Sequence, residues 1–320
     1  MIVITGAAGF IGSVLAKTMK SLYNGEIVLV DDFSRPEKES NLQALQGMMQ
    51  LDRNMFFEWL SEGQSIDAIF HIGARTDTTE FDYSILEELN LEYTKKVWSY
   101  CAKNDTVLIY ASSAATYGNG DFGYDDNHEV VERLQPLNPY GVSKNEFDIW
   151  ALKQDKSPQH WYGLKFFNVY GPNEFHKARM ASVIFHAFNQ IQDKGEMRLF
   201  RSHNPNYRNG EQLRDFVYVK DVVSVIQFLF DRKPKNGLYN LGSGTARTFL
   251  DLTKSVFRSL DKEEKISFMD TPEDIRDKYQ YFTEANMAKL ISVGYSKPFT
   301  ALEDGVSDYV QNYLLGRKNF

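Results

Sequence analysis

Met1-Ile-Val-Ile-Thr-Gly6-Ala-Ala-Gly9-Phe-Ile-Gly12 opens the chain, and the reading of this stretch decides the fold. A short β-branched strand runs straight into three glycines. From Gly12 to Leu22 apolar residues then recur at three- and four-residue steps, which marks a helix with one buried stripe. In such a turn the first glycine makes the tight bend, the second lets a diphosphate approach the backbone, and the third lets helix and strand pack closely. The helix N-terminus then turns its free N–H groups toward the phosphates. An acidic residue at the end of the next strand completes the pattern, and Asp31 closes the apolar run that starts at Ile27. The stretch points to a dinucleotide site.

Outward from this turn, short apolar runs alternate with amphipathic stretches, as in a doubly wound parallel Rossmann sheet of the α/β class. Strands are expected at Met1–Ile4, Ile27–Asp31, Ala68–Ile72, Val107–Ala111 and Tyr162–Phe167, each rich in the Val, Ile, Leu and Phe of strands covered on both faces. Helices are expected at Ile85–Ala102 and Tyr140–Leu152. After Gly171-Pro172 the alternation weakens, so a smaller, interleaved α/β substrate domain is expected. Residues 1–167 with about 214–241 form the dinucleotide domain on this reading, and 168–213 with 242–320 the substrate domain. Phe216–Val219 and Leu238–Leu241 are expected to return to the first sheet.

Composition narrows the function. The 320 residues, 42% hydrophobic and 25% charged, suit a folded protein with a large core. A single cysteine, Cys101, excludes an internal disulfide framework and a cysteine-rich zinc module. The histidines show no ligand spacing, so no metal is expected. A net charge of −7 without a long basic run argues against a nucleic-acid partner. No apolar run is long enough for a membrane span, and no signal-like leader is read, so a cytoplasmic protein is expected.

Two groups of residues carry the chemistry. At the cofactor end, Asp31 suits the ribose hydroxyls of NAD, whereas Arg35, Lys38 and Arg53 are placed to neutralise a 2′-phosphate; these residues alone leave NAD and NADP open. His71-Ile72-Gly73-Ala74-Arg75 ends a strand where small residues line such a site. At the catalytic end, Tyr140-Gly-Val-Ser-Lys144 puts a phenol and an ammonium on one helix face, about 5–6 Å apart at Cβ. A fixed cation favours tyrosinate, so Lys144 is expected to draw the phenol's pKa from about 10 toward neutrality and to reach the nicotinamide ribose. Tyr140 can then exchange a proton with a substrate hydroxyl. Ser113, in Tyr110-Ala-Ser-Ser-Ala-Ala-Thr-Tyr117-Gly118 at a strand's carboxyl end, is expected to hold the reacting oxygen.

Together with Phe167-Asn-Val-Tyr-Gly-Pro172, these segments resemble the extended short-chain dehydrogenase/reductase family, which acts mostly on nucleotide sugars. Thr78-Thr79-Glu80, Asn173-Glu-Phe-His-Lys177, Met180-Ala-Ser-Val183, Arg214-Asp-Phe-Val-Tyr-Val219 and Lys278-Tyr-Gln-Tyr-Phe282 are similar to its members that act on an ADP-linked heptose. The resemblance implies an epimerase that inverts C6 of ADP-D-glycero-D-manno-heptose through a transient 6-ketone, a step toward lipopolysaccharide core precursors. It implies NADP, with Arg53 where the family has lysine. It gives the acid and base roles to Tyr140 and Lys177, although Lys177 by itself also reads as a cation beside a diphosphate. Phe10, Ile11, Asp32, Thr76, Asp77, Thr78, Thr79, Asn90 and Val169 join the cofactor residues by the same resemblance. The implied sugar-nucleotide contacts are Asn168, Arg179, His186, Phe200, Arg201, Ser202, His203, Arg214 and Tyr279. A closed homo-oligomer, a pentamer, is implied as well. Three features depart from the pattern: a longer 203–213 loop, and arginines at 179 and 75 where smaller residues are common.

Two rival readings share part of this pattern. A UDP-hexose 4-epimerase needs Tyr140 but not Lys177. A non-catalytic NADP sensor or scaffold needs neither tyrosine nor lysine at that spacing. A 4,6-dehydratase wants acidic residues where Ala114 and Ala115 stand.

Overall fold

The structure is a computed structural model that describes residues 1–78, 80–276 and 279–320, the side chains of 274 and 275 apart. Ile-Val-Ile-Thr at Ile2–Thr5 forms β1, whose alternate side chains enter different cores. Ile2 and Ile4 pack with Leu29, Phe70 and Ile109 on one face of the sheet. Val3 packs with Val28, Val30, Ile69 and Leu108 on the other. Burial on both faces explains the continuous apolar runs, each buried aliphatic side chain contributing about 1.5–3 kcal/mol.

The sheet contains β1, β2 (Ile27–Asp31), β3 (Met49–Asp52), β4 (Ala68–His71), β5 (Val107–Ser113), β6 (Trp161–Phe166) and, later in the chain, Gly237–Leu241. Numbering continues through β7 (Asn168–Tyr170), β8 (Met197–Phe200) and β9 (Leu213–Tyr218), which makes Gly237–Leu241 β10; β11 (Ala246–Thr248) and β12 (Ile266–Met269) follow. The order β10-β6-β5-β4-β1-β2-β3, all parallel, is the doubly wound arrangement that the sequence predicts. Its direction of winding reverses between β1 and β4, and a ligand crevice opens there at the carboxyl ends of the strands. Helices Phe10–Leu22 and Val219–Arg232 pack together over one face.

Three details differ from the sequence reading. β3 is an added edge strand; its Met-Gln-Leu-Asp is exposed or half-buried and lacks the apolar density of the central strands. The run at 216–219 does not return to the large sheet, because β9 pairs with β7 and β11 in a separate three-stranded sheet. The helix expected over 85–102 is interrupted by a π-helical turn, Glu87–Glu92, before Tyr93–Asn104. β10 does join the first sheet, and β8 with β12 forms a third, two-stranded one. Among the described residues no helix is long and apolar enough to cross a membrane.

Candidate active site

The glycine turn is built for backbone proximity. Gly6 has φ +68°, and a Cβ there would lie 2.6 Å from Gly73 Cα, so the turns after β1 and β4 touch. A Cβ on Gly12 would lie 2.1 Å from Gly6 O. Gly9 caps the Phe10–Leu22 helix without a side-chain bond, which leaves that helix's first N–H groups for a ligand. A cleft of about 640 Å³ opens over this turn. Its lining gathers Gly6, Gly9, Phe10, Ile11, Gly12, Asp31, Asp32, Lys38, Arg53, the segment 72–77 and Lys177. Glycines that a Cβ would block, uncapped N–H groups and an acidic strand end together fit a dinucleotide.

Charge at the far end of the cleft is organised around two carboxylates. Buried Asp31 accepts from Ala8 N (2.9 Å) and Asp32 N (2.7 Å), and Lys38 Nζ lies 2.8 Å from it. Asp32 accepts from Ser34 and from Arg35 Nε at 3.2 Å, and Arg53 lies 3.8 Å away. Its carboxyl is held down at about 2, chiefly by the Ser34 hydroxyl. Arg35 and Arg53 remain 53% and 37% exposed, so both guanidiniums face solvent at the rim.

At the other end stands the Pro139–Leu152 helix. Asn138 caps it by accepting from Gly141 N at 2.8 Å, and Pro139 fits the first turn, where no N–H partner is needed. This start places the Tyr140 side chain beside that of Ser113 at the end of β5. The Tyr140 phenol does not move toward neutrality as expected. Burial raises its pKa and only the Ser113 hydroxyl opposes that. Lys144, also buried, turns its amine to Ala111 O at 2.8 Å, and burial pulls its pKa down to about 8 against the pull of Asp148. Lys177 is half-buried on the 3-10 segment Phe175–Met180, with its amine 5.7 Å from the Phe10 ring centroid. Burial lowers its pKa, and nearby Glu174 works in the opposite direction.

A third group surrounds Arg214 on β9. This guanidinium is 8% exposed, donates to Leu213 O at 2.8 Å and to Gln280 O, and lies 5.5 Å from the Tyr279 ring and 5.7 Å from Phe249. Neither neighbouring acid is its partner: Asp215 accepts from Ser243, Gly244 and Ala285, and Asp221 from Thr300. Among the described residues no carboxylate pairs with it, so it is a buried cation whose bonds go to carbonyl oxygens and not to a counter-charge. Phe200 meets Tyr279 edge-on at 6.2 Å, and His203 N donates to Tyr281 Oη at 3.1 Å. Asn168 stands opposite Phe216 in the β7–β9 register, two positions along β9 from Arg214.

Residues 2–242, most of the chain, match a family described as NAD dependent epimerase/dehydratase. The chain belongs to the NAD dependent epimerase/dehydratase family. The ADP-L-glycero-D-manno-heptose-6-epimerase of Fusobacterium nucleatum is 46% identical over 325 residues, with 98% of each protein covered. That of Nitratidesulfovibrio vulgaris (Hildenborough) is 45% identical, again over 98% of each. A crystal structure of the Helicobacter pylori enzyme of the same name superposes with a TM-score of 0.81 at 28% identity, covering 97% of this chain and 95% of that one.

In this epimerase/dehydratase chain several expected site residues serve other contacts. Asn90 spends its amide on the chain: it accepts from Arg75 N (2.8 Å) and donates to Arg75 O (3.0 Å) and Ser143 Oγ (3.1 Å). Arg75 also bonds Glu80 at 3.0 Å. Arg179 grips both oxygens of Asp77 at 3.1 Å, tying the loop after β4 to the Lys177 segment, and His186 Nε2 lies 3.2 Å from Arg179 O. Thr78 reaches Met180 Sδ at 3.9 Å. Arg201 lies 3.5 Å from Asp270, and Ser202 is bonded to Asn204 and Asn209 within its own loop. Val169 is half-buried on β7 and, like Tyr140 and Ser113, is not part of the cleft lining. Thr79 and Lys278 lie outside the described residues. The sequence reading passed over Asn41, which supports the Lys177 segment and sits in no motif, and gave no role to His176 within the 173–177 motif.

Proposed function

We propose that this chain inverts C6 of ADP-D-glycero-D-manno-heptose to give the L-glycero isomer, with NADP as its cofactor. The observation that carries the proposal is a second amine, that of half-buried Lys177 in the lining of the dinucleotide cleft, besides the Tyr140–Lys144 pair outside that lining. When bound, the dinucleotide supplies a reversible hydride acceptor, so that net redox is zero. Ser113 Oγ holds the C6 oxygen, and Lys177 Nζ, whose lowered pKa favours the free amine, receives the hydroxyl proton as the ketone forms. Lys144 Nζ, held at Ala111 O, orients the nicotinamide ribose. Tyr140 Oη, kept a phenol by burial, returns a proton to the oxygen after the carbon has presented its other face. Arg214 clamps the ADP diphosphate, for which a planar guanidinium is better matched than a lysine.

NADP is favoured over NAD by how Asp31 is occupied. Its oxygens already serve two backbone N–H groups and Lys38, and Arg35 and Arg53 stand beside the next residue, Asp32. The division of labour follows: the large sheet carries the dinucleotide, the smaller sheets the sugar nucleotide. A closed homo-pentamer belongs to the same reading, and light scattering reads it directly.

The test is conversion of ADP-D-glycero-D-manno-heptose without net NADPH. Deuterium at C6 should be retained in the product; wash-out into solvent refutes direct return. A wild-type protein that leaves this sugar unchanged and epimerises UDP-glucose refutes the substrate. The mass of the ligand released on denaturation separates NADP from NAD.

A further inference from the structure

Asn41 lies in the 3-10 stretch Pro36–Leu45, far from either catalytic motif, and is 3% exposed. Its Nδ2 donates to Ala8 O in the glycine turn at 3.0 Å and to Asn173 O at 3.1 Å, and it lies 3.3 Å from His176 Nδ1. Its Oδ1 accepts from Asn319 Nδ2 at 2.6 Å. A flipped amide would set its oxygen against two carbonyls and its nitrogen against another donor, so the orientation is fixed by its neighbours. His176 is held neutral, burial and the Lys38 and Lys177 cations lowering its pKa to about 4, so its ring keeps one nitrogen as an acceptor.

The segment that Asn41 grips bears Lys177 and is conformationally demanding. Asn173 has φ +76° and Ala178 φ +47°, left-handed values that non-glycine residues adopt only when their surroundings impose them. Asn173 is tied again through Nδ2 to Ser13 Oγ (2.9 Å) on the glycine-turn helix and through Oδ1 to Phe320 N (2.7 Å). The far end is closed by Glu174, which accepts from Ser182 N (2.5 Å) and Ser182 Oγ (2.6 Å). Asn41 bonds the glycine turn itself, the strained segment and Asn319, and Asn173 repeats the link from the strained side through Ser13 and Phe320.

We infer that Asn41 is a positioning residue that couples the dinucleotide-binding turn to Lys177, so that the two are set as one unit. The inference rests on the catalytic role proposed above for Lys177. Asn41→Asp tests it, because aspartate keeps the shape and the acceptor for Asn319 but has no N–H for Ala8, Asn173 or His176. Turnover should fall at least tenfold with the sugar KM changed less than threefold, while the melting curve stays cooperative. On a Lys177→Met background the same substitution should cost less than twofold, since its effect passes through Lys177. Hydrogen exchange gives a readout independent of the sugar: amides 6–12 and 174–181 of the free protein should exchange faster together. Wild-type-like turnover of Asn41→Asp, full additivity with Lys177→Met, or exchange faster only within 36–45 overturns the coupling. A wild-type protein inactive on the heptose, with amides 6–12 and 174–181 still loosened together, overturns the function and leaves the coupling supported.

Discussion

Asp148 of the Pro139–Leu152 helix and Lys165 of β6 form an ion pair, and the cost of breaking it is the sharpest stability prediction the structure makes. Both side chains are at most 1% exposed, and their charged atoms are 2.7 Å apart. Asp148 also accepts from Tyr110 Oη (3.0 Å) and Ser112 Oγ (2.6 Å), and Lys165 donates to Thr116 Oγ1 (2.8 Å). Asp148→Asn leaves a buried ammonium without its counter-charge and turns an amide NH2 toward donors. Losing one partner of a buried pair costs about 3–5 kcal/mol. Set against a net stability of about 5–15 kcal/mol, that is a large fraction. Urea unfolding followed by circular dichroism should show it as a lower midpoint at unchanged slope. Removing both charges, as in Asp148→Leu with Lys165→Met, should recover most of the loss, because an apolar pair leaves no charge to desolvate. A single variant that loses less than about 1 kcal/mol, at the scale of an exposed pair, would refute the reasoning.

Four further outcomes follow from the site. Lys177→Met should lower turnover by about 10²–10⁴-fold, the usual share of one acid–base group; Lys177→Arg should keep dinucleotide affinity yet stay as slow, and an active arginine variant would reassign Lys177 to the phosphates. Arg214→Met should raise the KM for the ADP-sugar by roughly 10–100-fold, about 1.5–3 kcal/mol for a charged hydrogen bond, with dinucleotide affinity unchanged in titration. Lys144 loses its proton above about 8, so if its ammonium holds the ribose, kcat/KM should fall as pH rises through that value; a flat profile to pH 10 excludes the role. Gly12→Ala, whose Cβ would meet Gly6 O at 2.1 Å, should abolish dinucleotide binding measured by fluorescence even where the protein remains folded.

What the sequence disclosed is what is local. Ile2–Thr5 and Ile27–Asp31 were readable because burial on both faces leaves no polar position to blur the run. Gly6, Gly9 and Gly12 lie within one turn, and Tyr140 and Lys144 on one face of one helix. β3 escaped because an edge strand tolerates Gln and Asp, and β9 was misassigned because Phe216–Val219 suits any buried sheet. Which sheet receives it depends on Asn168–Tyr170, more than forty residues earlier. The expected depression of the Tyr140 pKa failed for a related reason: helical spacing gives the distance to Lys144 but not the burial, nor the Ala111 carbonyl that takes the amine.

The two arginines that depart from the family pattern acquire a meaning only in three dimensions. Arg75 bonds Glu80 within the loop after β4, and Arg179 joins Asp77 of that loop to the Lys177 segment across 102 residues of sequence. A smaller residue at 179 could not span that gap. The bridge is also weak, for Arg179 is 65% exposed, and an exposed ion pair contributes about 0–1 kcal/mol. Such a tie brings two walls of the cofactor cleft together without making their separation costly. The inner supports are of another kind: Asn41, Asn173 and Glu174 are buried, and their bonds have no water to compete with them. Rigidity is therefore concentrated behind Lys177, where the proton transfer proposed for it needs a fixed distance, and compliance lies at the rim, where a dinucleotide must enter.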